Sequence, residues 1–255
     1  MPFVHVEDQE LFYAFREGNG DRRSSLLLIH GAGGSHLDWP PELRSMDGRD
    51  VYALDLPGHG RSAPPGCSTI ADYADIVTSF IKAIAVQRIT LVGHSMGGAI
   101  VQTIGLHPPP PVTGLVLLGS GARLRVAPAI LEGIVPDFDN TAGLITDLAW
   151  SENTPVELRQ LAKRRLLESD PTTMYGDFLA CNDFDLMNAL NEIRLPTLVI
   201  VGSLDRLTPQ KYSIFLAERI LHARLQVVEG AGHMVMLERP SEVAGAMKAF
   251  INDPV

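Results

Sequence analysis

The chain has 255 residues, 45% hydrophobic and 20% charged, with a formal net charge of −9. That length suits one globular domain, or a core carrying a small insertion, able to bury its own core without a disulfide or metal staple. The negative balance argues against a nucleic-acid partner, because phosphate backbones repel such a surface.

No stretch approaches the ~18 apolar residues of a membrane span, so no membrane insertion is expected. Met1 to Asp8 lacks the basic and apolar regions of a signal peptide, which makes the cytoplasm the default location. Cys67 and Cys181 are too far apart in sequence to form a disulfide framework and read as free thiols. The basic run Lys163-Arg164-Arg165 lies among Glu157, Glu168 and Asp170 and reads as the solvated face of a helix.

The first predicted element is a hairpin. Phe3-Val4-His5-Val6 and Leu11 to Phe15 flank the polar run Glu7 to Glu10, and the segment ends at Gly18-Asn19-Gly20-Asp21. Short apolar runs without alternation follow, at Leu26–Ile29, Val51–Leu54, Ile89–Val92, Leu115–Leu118, Thr197–Val201 and Leu225–Val228. Such runs fit strands buried on both faces of a parallel sheet. Helical patterns lie between them at Thr69–Ala85, Met96–Leu106, Pro209–Leu221 and Pro240–Ile251. Strand and helix alternate, so the fold class is α/β: a mostly parallel central sheet with helices on both faces. From about 121 to 190 no buried strand is evident, and helical pieces appear at Ala127–Val135, Thr141–Trp150, Pro155–Ser169 and Pro171–Cys181. We read 1–120 and 191–255 as a core domain and 121–190 as an inserted helical cap.

After the run Ile89–Val92 comes Gly93-His94-Ser95-Met96-Gly97-Gly98, a G-x-S-x-G at a strand-to-helix junction. The tight turn exposes the serine oxygen, and glycines two residues to either side allow strand and helix to approach. Ser95 is therefore the candidate nucleophile, and it needs an adjacent base. His233, in Gly230-Ala231-Gly232-His233, follows the last predicted strand and is the candidate base. Asp205, in Gly202-Ser203-Leu204-Asp205, ends the strand before it and is the candidate acid that orients the imidazole. All three fall at the carboxyl edge of the sheet, where open α/β sheets gather reacting groups. A tetrahedral oxyanion needs two donors, for which the backbone N–H groups of Met96 and of Ala32, in His30-Gly31-Ala32-Gly33-Gly34, are candidates. The latter loop is not a dinucleotide fingerprint, since position 36 is His where G-x-G-x-x-G requires glycine.

With these motifs together, and with Asp55-Leu56-Pro57-Gly58-His59-Gly60-Arg61-Ser62, the chain resembles the α/β-hydrolase fold superfamily, and within it small bacterial serine carboxylesterases. The resemblance implies acyl transfer through an acyl-enzyme on Ser95, with no cofactor and no metal. It implies structural roles for Asp55 and Arg61, and loop-supporting roles for His30 and His59. Serine at the elbow disfavours epoxide hydrolase and haloalkane dehalogenase chemistry, which in this superfamily use aspartate there. Lactonase, thioesterase and carbon–carbon bond hydrolase chemistry stay open, as does a non-catalytic ligand-binding role. The expected partner is a small-molecule ester. Its pocket is expected to be apolar, with Trp39, Phe138, Trp150, Met174, Phe178 and Met234 as candidate lining residues. The cap is also expected to open and close over the site as a lid.

Overall fold

The computed structural model describes residues 3–19, 24–46 and 48–253. Among them, eight strands form one sheet: β1 (Phe3–Val6), β2 (Gln9–Arg16), β3 (Ser25–Ile29), β4 (Asp50–Leu54), β5 (Ile89–His94), β6 (Val112–Leu118), β7 (Thr197–Gly202) and β8 (Ala223–Val228). In chain order the helices are α1 (Pro41–Arg44), α2 (Ile70–Ala83), α3 (Met96–Leu106), α4 (Pro128–Gly133), α5 (Phe138–Ala149), α6 (Val156–Leu166), α7 (Pro171–Asp183), α8 (Gln210–Arg219), α9 (Val235–Glu238) and α10 (Pro240–Asn252). The sheet order is β1-β2-β4-β3-β5-β6-β7-β8. The β1–β2 and β2–β4 pairs are antiparallel, and every later pairing is parallel. This is the α/β-hydrolase fold. The turn residues Gly20 and Asp21, and the terminal Met1 and Pro2, lie outside the described residues.

The unbroken apolar runs work as expected for a sheet covered on both sides. Leu27 and Ile29 face one core with Leu91, Leu117, Val199 and the inner faces of α2 and α3. Leu26 and Leu28 face the other, with Val92, Val116, Ile200 and residues of α1, α9 and α10. Because side chains alternate across a strand, a run buried on both faces supplies both cores at once. The exception is β8. It forms one edge of the sheet, and its Leu225 and Gln226 are exposed.

Helices α4 to α7 all lie between β6 and β7 and carry a small core of their own, formed by Ile130, Ile134, Ile145 and Met174. The α2 N-terminus is capped by the Thr69 side chain, which accepts from the Asp72 N–H. The short helices α1 and α9 lie outside the sequence expectation, since one turn is too short to show a period.

The approach of β5 to α3 is the tightest feature near the sheet's carboxyl edge. A Cβ on Gly93 would collide with the Gly97 carbonyl, and one on Gly97 with the carbonyls of Ile29 and His30. All of these are backbone atoms that cannot swing aside. Gly97→Ala is expected to cost at least ~2 kcal/mol in urea unfolding. Gly245 lies inside α10 with open space where a Cβ would go. There the same change is expected to stabilise by about 0.5–1 kcal/mol.

Candidate active site

Ser95 sits between β5 and α3 with φ 52° and ψ −114°, in the region that side-chain-bearing residues rarely adopt. The strain is held by hydrogen bonds on both sides. The Ser95 N–H donates to Leu118 O at 2.9 Å, and its carbonyl accepts from Gly98 N at 2.9 Å and from Ser120 Oγ at 2.9 Å. Leu118 ends the neighbouring strand β6 and Ser120 follows it, so the adjacent sheet edge grips the turn. The side chain of Ser95 opens into a cleft of about 1510 Å³ and stands at the amino end of α3, where the helix dipole favours negative charge.

His233 and Asp205 meet in a buried pair, with Nδ1 2.9 Å from Asp205 Oδ2. A carboxylate only accepts, so this contact places a proton on Nδ1 and leaves Nε2 as the nitrogen able to accept a proton. Asp205 accepts further bonds from Leu207 N at 2.9 Å, Thr208 N at 2.8 Å and Thr208 Oγ1 at 2.8 Å. Burial pushes the Asp205 pKa up, but the His233 ring, its hydrogen bond and the Thr208 donors outweigh that and hold it below the usual carboxylate value. The same bonds to Leu207 and Thr208 make Asp205 a turn-forming residue ahead of α8, so one side chain does both jobs. Thr208 escaped the sequence reading. Its signal is an Asp followed three residues later by Thr before a proline-opened helix.

His233 lines the same cleft as Ser95, but no hydrogen bond joins its ring to Ser95 Oγ among the described residues. Its ring packs against that of His94, with centroids 4.7 Å apart, and His94 Nε2 donates to the His233 carbonyl at 3.0 Å. The glycine loop presses on the elbow from the other side. A Cβ on Gly31 would lie 3.1 Å from Ser95 Cβ. The Ala32 N–H lies in this loop, the Met96 N–H opens α3, and neither finds an acceptor among the described residues.

The predicted lining residues divide. Trp150, Phe178 and Met234 line the cleft, beside Leu124, Ile145, Leu148, Leu161 and Leu207. Trp39 does not. It is fully buried with Leu43, Met236 and Phe250 in the core on the far face of the sheet, because the 3-10 turn His36–Asp38 directs it inward. Met174 and Phe138 are also displaced from the lining. Both pack into the insertion's own core, with Met174 fully buried over Gly33. Apolar side chains at helical spacing serve packing or pocket equally well, so sequence could not separate them.

The other predicted histidine and aspartate supports are in place. Asp55 accepts from His36 N at 2.6 Å and from Arg61 N at 3.0 Å, which ties two loops together. The Arg61 guanidinium stacks 4.3 Å from the Phe12 ring centroid. Among the described residues, no group of three or more His, Cys, Asp or Glu is arranged to hold a metal ion, and no helix is long and apolar enough to cross a membrane.

Two buried histidines are kept neutral. His30 Nδ1 lies 2.8 Å from Gly31 O, and its Nε2 accepts from Leu56 N at 3.1 Å. Burial, then the charge on His59, push its pKa down from 6.5 to about 4. Burial, then the His233 ring, push His94 down to about 3. In the unfolded chain both would take up protons near 6.5, so acidification below that value protonates the unfolded state first and stability falls. The lowered pKa values of Asp205 and Asp55 extend the loss to still lower pH. Urea unfolding is expected to show lower stability at pH 4 than at pH 6, with the raised pKa values of His59 and Asp38 offsetting part of the loss. In His30→Gln, which keeps a donor and an acceptor but no titration, the decline between pH 6.5 and 4 should be shallower. An unchanged slope would remove His30 from the account.

The alpha/beta hydrolase family model matches residues 26–246. The 2-hydroxymuconate semialdehyde hydrolase of Pseudomonas putida is 32% identical over 246 residues, covering 88% of this chain and 86% of that protein. The pimeloyl-(acyl-carrier protein) methyl ester esterase of Serratia marcescens is 28% identical over 249 residues, covering 92% and 95%. A solved structure of a thermophilic esterase is 32% identical, with a TM-score of 0.86 over 98% of this chain and 96% of that one. Sheet order, elbow and near-complete coverage agree: the chain belongs to the alpha/beta hydrolase family.

Proposed function

We propose that this protein is a serine hydrolase that cleaves small-molecule carboxylic esters with apolar, small to medium acyl or alcohol groups. The observation that carries the reading is the strained Ser95, opening into one cleft with a buried His233–Asp205 pair 2.9 Å apart. The esterase names among its relatives support it. The apolar wall of Leu124, Ile145, Leu148, Trp150, Phe178 and Met234 supports an uncharged substrate.

In this reading Ser95 Oγ attacks the ester carbonyl carbon while His233 Nε2 takes its proton. For that step the Ser95–His233 approach shortens to hydrogen-bond range in the substrate complex. The carbonyl electron pair moves onto oxygen, where the N–H groups of Ala32 and Met96 stabilise it. The carbonyl re-forms, the bond to the alcohol oxygen breaks, and His233 returns the proton to the leaving alcohol. Water then repeats the sequence on the acyl-enzyme and releases the acid. Asp205 holds the Nδ1 proton and balances the imidazolium. Helices α4–α7 act as the cap of the site, with 1–120 and 191–255 as the catalytic core.

A fluorophosphonate probe is expected to label the wild type and to leave Ser95→Ala unlabelled. A wild-type protein that stays unlabelled, and whose activity Ser95→Ala does not alter, would turn the reading toward a ligand-binding protein. Asp205→Asn is expected to lower kcat on an aryl butyrate by roughly 10³–10⁴-fold, because the wrong tautomer of His233 then faces Ser95. A panel of aryl esters of rising acyl length, a lactone and a vinylogous diketone tests the substrate class. Fastest turnover of the lactone or the diketone would overturn the ester assignment while leaving the nucleophile in place.

A further inference from the structure

The loop that offers the Ala32 N–H is not held by the sheet alone. Its next residue, Gly33, is gripped at both backbone polar atoms by the helical insertion. The Gly33 N–H donates to Asp177 Oδ2 at 2.9 Å, and the Gly33 carbonyl accepts from Ser169 Oγ at 3.0 Å. Gly33 has φ +64°, and the space a Cβ would need is filled by Met174 of α7, with Leu166 of α6 beside it. The peptide that orients Ala32 is thus clamped from above by residues that the core does not contain.

Asp177 is fully buried and every partner it has is a donor. Besides Gly33 N, it accepts from His59 Nε2 at 2.7 Å on Oδ2 and from Tyr73 OH at 2.6 Å on Oδ1. His59 Nδ1 lies 2.9 Å from the Pro57 carbonyl. Both ring nitrogens of His59 therefore face oxygen acceptors, which requires the doubly protonated imidazolium. Burial works against that charge, but the attraction and hydrogen bond of Asp177 outweigh it and raise the His59 pKa. Burial beside Asp177 also raises the pKa of the Tyr73 phenol and keeps its donor proton. A charged pair and a phenol, contributed by the β4–α2 loop and α2, thus fix one carboxylate of α7, and that carboxylate fixes the Gly33 peptide. Charge-assisted hydrogen bonds of this kind are short and strong, and three of them converge on this one carboxylate.

We propose that Asp177, assisted by Ser169, is a positioning residue through which the helical insertion sets the oxyanion-binding geometry of the Ala32–Gly33 loop; this rests on the ester hydrolase reading above. The role is distinct from cleft lining, because Asp177 does not itself line the cleft, although its partners Gly33 and His59 do. A donor displaced from where the oxyanion forms costs transition-state binding but leaves substrate binding intact.

The test compares kcat and KM on an aryl butyrate, and the affinity of an aryl boronic acid, in wild type, Asp177→Asn and Ser169→Ala. The boronic acid forms a tetrahedral adduct and reports on the oxyanion site. Asp177→Asn retains the shape but cannot accept from three donors. It is expected to lower kcat and boronic-acid affinity together by roughly 10–100-fold, with KM within about twofold of wild type. Ser169→Ala removes a half-buried hydroxyl and keeps the ion pair. It is expected to show the same pattern at roughly threefold, and decides the matter if Asp177→Asn does not fold. Unchanged kcat in Ser169→Ala and in a folded Asp177→Asn overturns the assignment. So does a fall in kcat matched by a rise in KM and by lost thermal stability. Failure of the underlying reading is recognised separately, because the wild type itself would then neither turn over the ester nor form a boronic-acid adduct.

Discussion

Strand β5 and helix α3 meet so closely that no Cβ fits at positions 93 or 97, and that contact sets the geometry above the sheet. The chain must reverse within one residue, which drives Ser95 to φ 52°. A serine there would relax if it were free to. The sheet prevents it, through Leu118 O at the end of the neighbouring strand, Ser120 Oγ just beyond it, and the crossing carbonyls of Ile29 and His30. The strain costs of order 1–3 kcal/mol, and a two-faced core of this size absorbs it. Two more close approaches repeat the device. Gly202 presses on the carbonyls of Ala231 and Gly232, which brings the β7 loop of Asp205 against the loop of His233. Gly119 packs against His233 and Asp205 together.

Helices α4 to α7 and their connections, between β6 and β7, are bound into this arrangement at two places. At one, Asp177 and Ser169 hold the Gly33 peptide. At the other, Ala149 O accepts from the N–H groups of His233 at 2.8 Å and Met234 at 3.2 Å. There Glu238 also bridges the two parts, accepting from Gly232 N at 2.9 Å and from Thr154 Oγ1 at 2.8 Å. A lid free to swing as one body would have to break buried, charge-assisted bonds at the first anchor and half-buried ones at the second. Helix α6 lies between the anchors in sequence and has no fully buried residue. It is the part of the insertion with the fewest packing constraints, and Leu158, Leu161 and Arg165 of this helix line the cleft. The basic run 163–165 is therefore only partly a solvated face. Lys163 pairs with Asp139 at 2.9 Å on the surface, while Arg165 faces the cleft.

Most of the architecture was legible because it rests on local signals. Six unalternating apolar runs announced strands covered on both sides, and five of them are. The sixth, at Leu225, lies at the sheet edge with Leu225 and Gln226 exposed, and nothing in its composition marks it as less covered than the others. Gly93, Gly97 and Gly202 were legible as close approaches because only glycine permits them. Trp39, Met174 and Phe138 were not legible, because an apolar side chain carries no label for which of two apolar environments it enters.

The sequence by itself determined the elements, their α/β class, and the candidates Ser95, Asp205 and His233 at the carboxyl ends of three strands. Those depend on residue type at short spacing, and a parallel sheet carries each strand end to the same edge. Only the tertiary structure decided what surrounds them. Asp177 pairs with His59 and Tyr73 across 118 and 104 positions, and with Gly33 across 144. Contacts over such separations follow from how the helices between β6 and β7 fold back on the sheet, and an aspartate in the middle of a helix does not disclose them. The positions of the candidate groups were thus written in local chemistry, whereas the enclosure around them was settled by packing at long range.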